Sequence, residues 1–557
     1  MDNQAESAVI PVLDAFIKRE RLHPDKVWLI QPMTTDETLE LTWGQAGDQV
    51  RRLAGWLQRQ GLPERSTVAV ISENCAHWII SDLAIWMAGH VSVPLSPALP
   101  ADAIQRMLEH ADVRIIIVGK LDDWQRIRSG LPVATPWVGM PMAAADEQLL
   151  DWHDLQRDNE PMLQPVARDA AGLATIMYSV GSSGLPKGCM LSFASMHFAA
   201  TNFLRLFLVT DQDRVLSWLS LCHVAERQFT EMQSLLSGMA VYFVQSRATL
   251  IDDLRRARPT LFLGTPATWH GIRQSVMHRA QSRLIDAALK IPLLGKRVAS
   301  GLLEQQGLDQ LRFGIISEAV APTELLEWYH RLGLRLFEMY GLTENCGYSH
   351  VGRPGRLRPG WCGLPNPGVE CRLGENREVL VRSQAIMLGY HREPETTART
   401  IDEQGFLHTG DRGEINKDGF LRLSGRISDL FHTAEGREIV PQPIEHRLLA
   451  HGFVQYTCVV GEGLPLPLAL LSLTEPARAL ARHDVERELE SLLHALNKPL
   501  PRAQRLSSLV VLSEDWTPDN GWLTGTRQLK RGAICARYQD QLGDWSTRGT
   551  TIIWEDS

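Results

Sequence analysis

Hydrophobic positions near the start of the chain alternate between the spacing of helices and that of strands. One predicted helix face consists of apolar residues three or four positions apart: Val50, Leu53, Ala54 and Leu57. Residues 67–72 (TVAVIS) form a short apolar run that predicts a buried strand, and residues 76–88 return to a helical pattern. Residues 91–95 (VSVPL) and 114–118 (RIIIV) predict further strands. This alternation predicts an α/β fold built around mostly parallel sheets.

A change of pattern at residues 425–428 (GRIS) predicts a domain boundary. It follows a turn-rich run at residues 416–419 (NKDG) and precedes a predicted helix that begins near Pro441. We therefore expect a large N-terminal body, residues 1–426, and a small C-terminal α+β domain, residues 427–557. A large body joined to a small domain also predicts hinge motion of the small domain.

The composition is that of a folded globular protein. Of 557 residues, 44% are hydrophobic and 22% are charged, which excludes disorder or a coiled coil as the main architecture. The formal net charge of -8 gives no overall positive field that would favour nucleic acid as a partner. The cysteines show no C-x-x-C pair and predict free thiols rather than a zinc site or a disulfide framework. They are Cys75, Cys189, Cys222, Cys346, Cys362, Cys371, Cys458 and Cys535.

The sequence carries no pattern typical of secretion or of a membrane span. The first twenty residues have acids where a secretory signal has bases, and they lack a continuous apolar core. The most apolar stretch, Leu464 to Leu473, contains two prolines and is far shorter than the roughly 20 residues of a spanning helix. We expect a cytoplasmic protein, and peripheral membrane contact through an apolar substrate entrance stays open.

A glycine- and serine-rich loop at residues 175–192 (TIMYSVGSSGLPKGCMLS) is the most informative stretch. A predicted strand runs into residues 181–184 (GSSG), and Lys187 follows closely. Glycines allow backbone N–H groups to approach an anion, hydroxyls donate to phosphate oxygens, and lysine adds a positive charge. The loop is therefore typical of phosphate binding, but it is not a Walker A loop because Pro186 precedes the lysine and Gly188 follows it. The alternative is a flexible surface turn.

With four further motifs in the same order, this loop resembles the adenylate-forming superfamily, which contains acyl-CoA synthetases and fatty acyl-AMP ligases. The further motifs are residues 220–229 (SLCHVAERQF), 257–269 (ARPTLFLGTPATW), 338–347 (EMYGLTENCG) and 406–429 (FLHTGDRGEINKDGFLRLSGRISD). Each motif alone is a weak signal, but five in order across most of the chain are a strong one. The resemblance implies a large body of α/β subdomains with a small mobile C-terminal domain.

The resemblance also implies a role for each candidate site residue. The residues at the ATP phosphates would be Ser179, Gly181, Ser182, Ser183, Gly184, Lys187 and Thr343. Tyr340 would pack on adenine, and Glu344 would help to hold Mg²⁺. Asp411 and Arg426 would bind the ribose, and His223 would lie near the carboxylate and acceptor passage. ATP, Mg²⁺ and coenzyme A are the implied cofactors.

Ordinary structural roles remain open for several of these residues. Asp411 could cap a turn, Glu344 could be a solvated acid at the start of a helix, and His223 could be a packed polar residue. The sequence also departs from the pattern of the superfamily at Val180, which replaces a serine, and at Ser317-Glu318, where small residues usually leave room for acyl chain and base. Glu318 is a cofactor-binding candidate on the adenine side, and its bulk and charge put a long acyl tunnel in doubt.

The largest departure lies near the C-terminus, at residues 521–531 (GWLTGTRQLKR). The resemblance places Gln528 where a lysine would pair with the carboxylate and the α-phosphate. Glutamine donates a hydrogen bond but supplies no charge, and such a cation contributes about 3 kcal/mol to a transition state. Lys530 or Arg527 could substitute, and Lys530 is the residue assigned here as catalytic, together with Thr343, Glu344 and His223.

The expected activity is the ATP-dependent conversion of a carboxylic acid, most simply a fatty acid, to acyl-AMP and then to a coenzyme A thioester. A carrier protein or an amine could equally accept the acyl group. A catalytically degenerate protein that binds nucleotide or acyl-adenylate is the rival favoured by Gln528, Ser317-Glu318 and Val180. A third interpretation keeps adenylation but gives the enzyme a small or polar acid, recognised through Glu318.

Overall fold

The computed structural model describes residues 11–34, 37–180, 186–279, 285, 288–289, 291–319, 321–517, 520–523 and 529–556. Its α-helices are Pro11–Leu22, Trp43–Arg59, Ala76–Met87, Ala101–His110, Trp124–Arg128, Trp152–Asp158, Phe193–Phe207, Val224–Glu226, Gln233–Ser237, Leu250–Ala257, Pro266–Arg279, Pro292–Gln305, Thr323–Arg331, Pro394–Thr400, Pro441–Leu449, Glu475–Arg478, Arg482–Asn497 and Arg531–Thr547. Its π- and 3₁₀-helices are Arg227–Met232, Thr343–Asn345, Glu375–Arg377, Ile427–Asp429 and Arg502–Gln504.

An eight-stranded sheet carries the first predicted strands and the start of the phosphate loop. In spatial order its strands are Gly389–Tyr390, Pro186–Ser192, Leu173–Val180, Val91–Leu95, Thr67–Ile71, Val113–Val118, Trp137–Gly139 and Leu149–Asp151. All pairs are parallel except those made by Pro186–Ser192, which lies antiparallel between its two neighbours. Strands Leu173–Val180 and Pro186–Ser192, which carry the two flanks of the predicted phosphate motif, pair antiparallel.

A nine-stranded sheet is the second large sheet of the N-terminal body. In spatial order its strands are Leu364–Pro365, His350–Val351, Leu336–Tyr340, Phe313–Ile316, Leu261–Gly264, Arg214–Ser217, Ala240–Phe243, Val27–Pro32 and Thr38–Thr42. The central pairs are parallel and the edges antiparallel. Because parallel strands end at the same edge, the segments after Phe313–Ile316 and Leu336–Tyr340 emerge side by side.

Helix Trp43–Arg59 illustrates how the sequence selects this packing. The Thr42 side chain accepts a hydrogen bond from the Gln45 backbone, and the Gln45 side chain accepts one from Thr42, which fixes the start of the helix. The predicted apolar face is buried: Val50, Leu53, Ala54 and Leu57. At its first residue, Trp43 stacks on Trp28 with ring centroids 4.0 Å apart.

Smaller sheets follow along the chain. An antiparallel four-stranded sheet contains Glu370–Leu373, Glu378–Arg382, Leu407–Ile415 and Leu421–Arg426, and a two-stranded one contains Phe431–His432 and Glu438–Ile439. A mixed C-terminal sheet contains Val454–Val460, Leu468–Leu473, Leu509–Val511 and Ile552–Trp554, packed against helices. The predicted α/β class with mostly parallel sheets and a C-terminal α+β unit is confirmed. The boundary after residue 426 stays a prediction.

Candidate active site

A cavity of about 3160 Å³ collects candidate residues from three of the sheets and from the C-terminal unit. The sequence-predicted residues that line it are Ser179, Lys187, His223, Glu318, Tyr340, Thr343, Glu344, Asp411, Arg426 and Lys530. They span most of the chain, so their convergence is a product of the fold rather than of local sequence. The other predicted loop residues, 181–184, lie outside the described residues.

One end of the cavity is built around the buried carboxylate of Asp411. Asp411 faces Arg426 across neighbouring antiparallel strands. Tyr340 Oη donates to Asp411 Oδ2 at 2.7 Å, and Arg426 Nε lies 3.0 Å from Asp411 Oδ1. Burial raises the pKa of Asp411, while Arg426 and the tyrosine hydroxyl oppose the shift. An ionised carboxylate accepts about four hydrogen bonds, so capacity remains for two hydroxyls of a diol.

A second part of the cavity wall holds the predicted phosphate residues Lys187 and Glu344. Glu344 lies in the 3₁₀-helix Thr343–Asn345, and its Oε1 accepts a 2.7 Å hydrogen bond from Tyr390 Oη. Lys187 Nζ lies 5.1 Å from the centre of the Tyr390 ring, a cation–π distance. Tyr390 therefore contacts both Glu344 and Lys187.

Glycine is required where this wall turns. A Cβ on Gly341 would stand 2.2 Å from the backbone of Gly347, because the two loop segments touch directly. The approach is closed by a hydrogen bond of 2.8 Å from Gly347 N–H to the Leu342 carbonyl. Any side chain at residue 341 would push the Thr343–Glu344 segment out of place.

The donor set suits Mg²⁺ bound together with phosphate. Among the described residues, no group of three or more His, Cys, Asp or Glu side chains could hold a metal ion. Mg²⁺ usually takes one or two carboxylates and completes its shell with phosphate oxygens and water. Glu344 alone at the phosphate wall fits that chemistry.

His223 and Glu318 meet in the third part of the cavity. His223 Nδ1 lies 3.3 Å from Glu318 Oε1, an ion-pair distance without hydrogen-bond geometry. Glu318 has φ of 72°, a left-handed conformation that favours glycine. The neighbouring Ser317 is buried, and its Oγ has no hydrogen-bond partner among the described residues.

Comparison with known protein families gives matches over most of the chain. The AMP-binding enzyme family matches residues 16–391, and its C-terminal domain matches residues 428–545. The chain belongs to the AMP-binding enzyme family. The prediction of an adenylate-forming, acyl-CoA-synthetase-like ligase is thereby confirmed at the level of the family.

Individual relatives of this AMP-binding enzyme are distant but extend over its length. The chain is 24% identical over 574 residues to the long-chain-fatty-acid–CoA ligase FadD15 of Mycobacterium bovis, covering 94% of this chain and 95% of the relative. The anthranilate CoA ligase AuaEII in complex with anthranoyl-AMP superposes with a TM-score of 0.77 at 20% identity, over 94% of this chain and 96% of that one. O-succinylbenzoate coenzyme A synthetase (MenE) of Bacillus subtilis, in complex with ATP and a magnesium ion, gives 0.72 at 21%, over 93% and 98%. These structures share its fold.

Two cations of the C-terminal unit, Lys530 and Arg531, line the cavity of this AMP-binding enzyme. Lys530 lines the cavity at the start of helix Arg531–Thr547, and its backbone N–H donates to the Trp522 carbonyl at 2.9 Å. Arg531 lies 3.5 Å from Asp429 and donates to Glu445 at 2.5 Å, so its charge is engaged within the C-terminal unit. Arg527 and Gln528 lie outside the described residues.

Two features of the site were missed from the sequence. Tyr390 orients Glu344 from 46 residues away, and no short motif couples the two positions. Arg227, fully buried between Trp78 and Trp86, contacts the carboxylates of Asp82 and Glu231 beside the His223 segment. Glu226 and Glu231, which interrupt the apolar residues after His223, were the available sequence signal for Arg227. Charged residues that are buried in such a segment must pair with opposite charges.

Glu226 lies in the same buried segment. Its Oε1 accepts hydrogen bonds of 2.8 Å from Ser217 and Thr230, whereas Oε2 has no hydrogen-bond partner among the described residues. Burial raises the pKa of Glu226 to about 8, and the nearby charge of Glu318 adds to the shift. The Glu226 carboxyl is therefore protonated more readily than an exposed glutamate.

Among the described residues, no helix is both long and apolar enough to cross a membrane.

Proposed function

We propose that this AMP-binding enzyme converts a carboxylic acid and ATP to acyl-AMP and pyrophosphate, and then transfers the acyl group to the thiol of coenzyme A. The observation that carries the proposal is the joint presence, in one cavity, of the Asp411–Tyr340–Arg426 cluster and the Thr343–Glu344 wall with Lys187. The first suits a ribose diol, and the second suits a polyphosphate. The names of the relatives, a fatty-acid–CoA ligase and two aryl-acid–CoA ligases, support the acid and the acceptor.

Adenylation requires that the charge on the phosphates be balanced while a bond changes. A carboxylate oxygen attacks the α-phosphorus of ATP, and pyrophosphate leaves with the electron pair of the broken P–O bond. Lys187 and the Thr343 hydroxyl would hold phosphate oxygens, and Glu344 would hold Mg²⁺, which supplies charge neutralisation when bound. Asp411 and Arg426 would fix the ribose so that the α-phosphorus faces the acid.

Thioester formation would use the same cavity. The thiolate sulfur of coenzyme A attacks the carbonyl carbon of acyl-AMP, AMP leaves with the electron pair of the C–O bond, and the thiol proton passes to water. His223 lines this cavity 3.3 Å from Glu318, and acid and acceptor would meet beside it. We propose that residues 427–557 form the mobile unit for this change and that Lys530 supplies the cation missing at Gln528.

A substrate panel tests adenylation directly. Purified protein with Mg-ATP and acids from acetate to palmitate, plus aromatic and hydroxy acids, should release pyrophosphate and yield acyl-AMP, which coenzyme A converts to a thioester. Lys530→Ala should lower adenylation about 100-fold, whereas Arg527→Ala and the exposed control Lys498→Ala should not. Equal losses in Lys530→Ala and Lys498→Ala would reject the assignment of Lys530.

The degenerate binder remains the second candidate because Gln528 removes a charge. It predicts tight ATP or AMP binding in calorimetry without pyrophosphate release for any acid. A carrier protein or an amine as acceptor predicts acyl-AMP that accumulates in the presence of coenzyme A.

A further inference from the structure

Different parts of the cavity suit different parts of the substrates, and one part remains for the acyl group. If the Asp411 cluster takes the ribose and the Thr343–Glu344 wall takes the phosphates, the acid must approach from the remaining side. Among the residues that line that side are Ser220, Cys222, Thr265, His270, Ala321 and Leu325. His223 and Glu318 lie there, beside Ser317.

Two buried polar atoms on this side have no hydrogen-bond partner among the described residues, and they are His223 Nδ1 and Ser317 Oγ. Ser317 itself is only 3% exposed, and an unpaired buried hydroxyl costs about 1–3 kcal/mol. The Glu318 side chain is 10% exposed and is held 3.3 Å from the imidazole. A substrate group that pairs with these atoms would offset the cost.

The backbone supports the same conclusion. Glu318 keeps its side chain at φ of 72°, where glycine would fit without strain. Non-glycine residues in this region cost about 1–3 kcal/mol and persist mainly at functional sites. An unbranched alkyl chain gains nothing from a carboxylate, an imidazole and a hydroxyl, because they must lose water when the chain binds.

We propose that His223, Ser317 and Glu318 form a polar clamp that selects a carboxylic acid carrying a hydrogen-bond donor, a hydroxyl or an amino group, over its unsubstituted alkyl or aryl parent. This inference rests on the proposed function and names its substrate class. A hydroxyl donates to Glu318 and accepts from Ser317 Oγ, whereas an ammonium group donates to the Glu318 carboxylate and pairs with its charge.

Matched acids test the clamp in the wild-type enzyme. Pyrophosphate release gives kcat/KM for octanoate against 2-, 3- and 8-hydroxyoctanoate and 8-aminooctanoate, for benzoate against its hydroxy and amino derivatives, and for palmitate. A hydrogen bond to a charged group should favour at least one substituted acid by about 10- to 100-fold over its parent and over palmitate. Parents or palmitate that match every substituted acid would overturn the proposal. Comparison of the hydroxy-substituted with the amino-substituted acids shows which of the two donor groups the enzyme prefers.

Variants assign the preference to the clamp. Glu318→Gln should lower the ratio of kcat/KM for the preferred acid to kcat/KM for its parent about 10- to 100-fold. Glu318→Gly should do the same and raise kcat/KM for the unsubstituted acids, because it opens space and suits the positive φ. Glu327→Gln, on the exposed surface of helix Thr323–Arg331, should match wild type. An unchanged ratio in both Glu318 variants, with thermal melts like wild type, would reject the clamp.

A binding measurement separates this proposal from the catalytic one. Calorimetry compares acyl-sulfamoyl-adenosine analogues of one acid with and without the hydroxyl or amino group, so no turnover is needed. Tighter binding of the substituted analogue, lost in Glu318→Gln, supports the clamp even where no acid releases pyrophosphate and the proposed catalysis fails. Equal binding of both analogues overturns the clamp, even in an enzyme that adenylates many acids.

Discussion

Replacement of Asp411 by asparagine should weaken AMP binding strongly, because this carboxylate organises the predicted ribose end. It accepts from Tyr340 Oη at 2.7 Å and lies 3.0 Å from Arg426 Nε, and it has acceptor capacity for two ribose hydroxyls. Asparagine keeps one acceptor oxygen and loses the charge. The loss of one charge-assisted hydrogen bond, about 1.5–3 kcal/mol, corresponds to roughly 10- to 150-fold weaker binding.

The measurement is calorimetric titration with AMP, which requires neither acid nor turnover. Asp418→Asn is a matched control, since Asp418 is exposed on the hairpin turn of the same sheet and pairs with Arg358 on the surface. Thermal melts verify that both variants are folded. An Asp411→Asn dissociation constant within threefold of wild type would refute the assignment of this carboxylate to the ribose.

Four further substitutions test the rest of the site. Glu344→Gln should lower kcat about 100-fold and raise the Mg²⁺ concentration that gives the half-maximal rate. Tyr390→Phe removes one 2.7 Å hydrogen bond and should lower kcat about 2- to 10-fold. Equal effects of the two substitutions on kcat would contradict this order. The folded protein keeps a proton on Glu226 between an ordinary pKa of 4.5 and about 8, so wild-type stability falls as pH rises through that window. Glu226→Gln should remove this fall, at most about 1.4 kcal/mol per pH unit, in thermal melts across the window; parallel pH curves would contradict it. Gly341→Ala should destabilise by about 1–3 kcal/mol in denaturant unfolding, whereas Gly271→Ala, which meets no atom within 4 Å, should not.

Local sequence patterns predicted helices and strands that depend on residues close together in the sequence. The apolar runs at residues 67–72 and 91–95 are strands, and the helix predicted near Pro441 is Pro441–Leu449. Their burial follows from side chains of neighbouring residues. The collinear motifs also predicted which residues meet in the cavity, since Asp411 and Arg426 pair directly across two strands.

Contacts between distant segments could not be predicted in this way. The hydrogen bond from Tyr390 to Glu344 and the approach of Glu318 to His223 depend on how separate sheets pack. The placement of Glu318 on the adenine side stays a prediction, whereas the contact of its carboxylate with the imidazole of His223 was not predicted. Glu318 has a positive φ, and residue identity alone does not reveal such a backbone conformation.

The transfer of an isotope from acid to AMP tests the central claim most directly. An acid from the panel that supports pyrophosphate release is labelled with ¹⁸O in its carboxylate and incubated with the enzyme, Mg-ATP and coenzyme A. If a carboxylate oxygen attacks the α-phosphorus, mass spectrometry should find AMP that carries one ¹⁸O atom, together with pyrophosphate and the thioester. Unlabelled AMP, or ADP in its place, would contradict acyl-AMP formation by this AMP-binding enzyme.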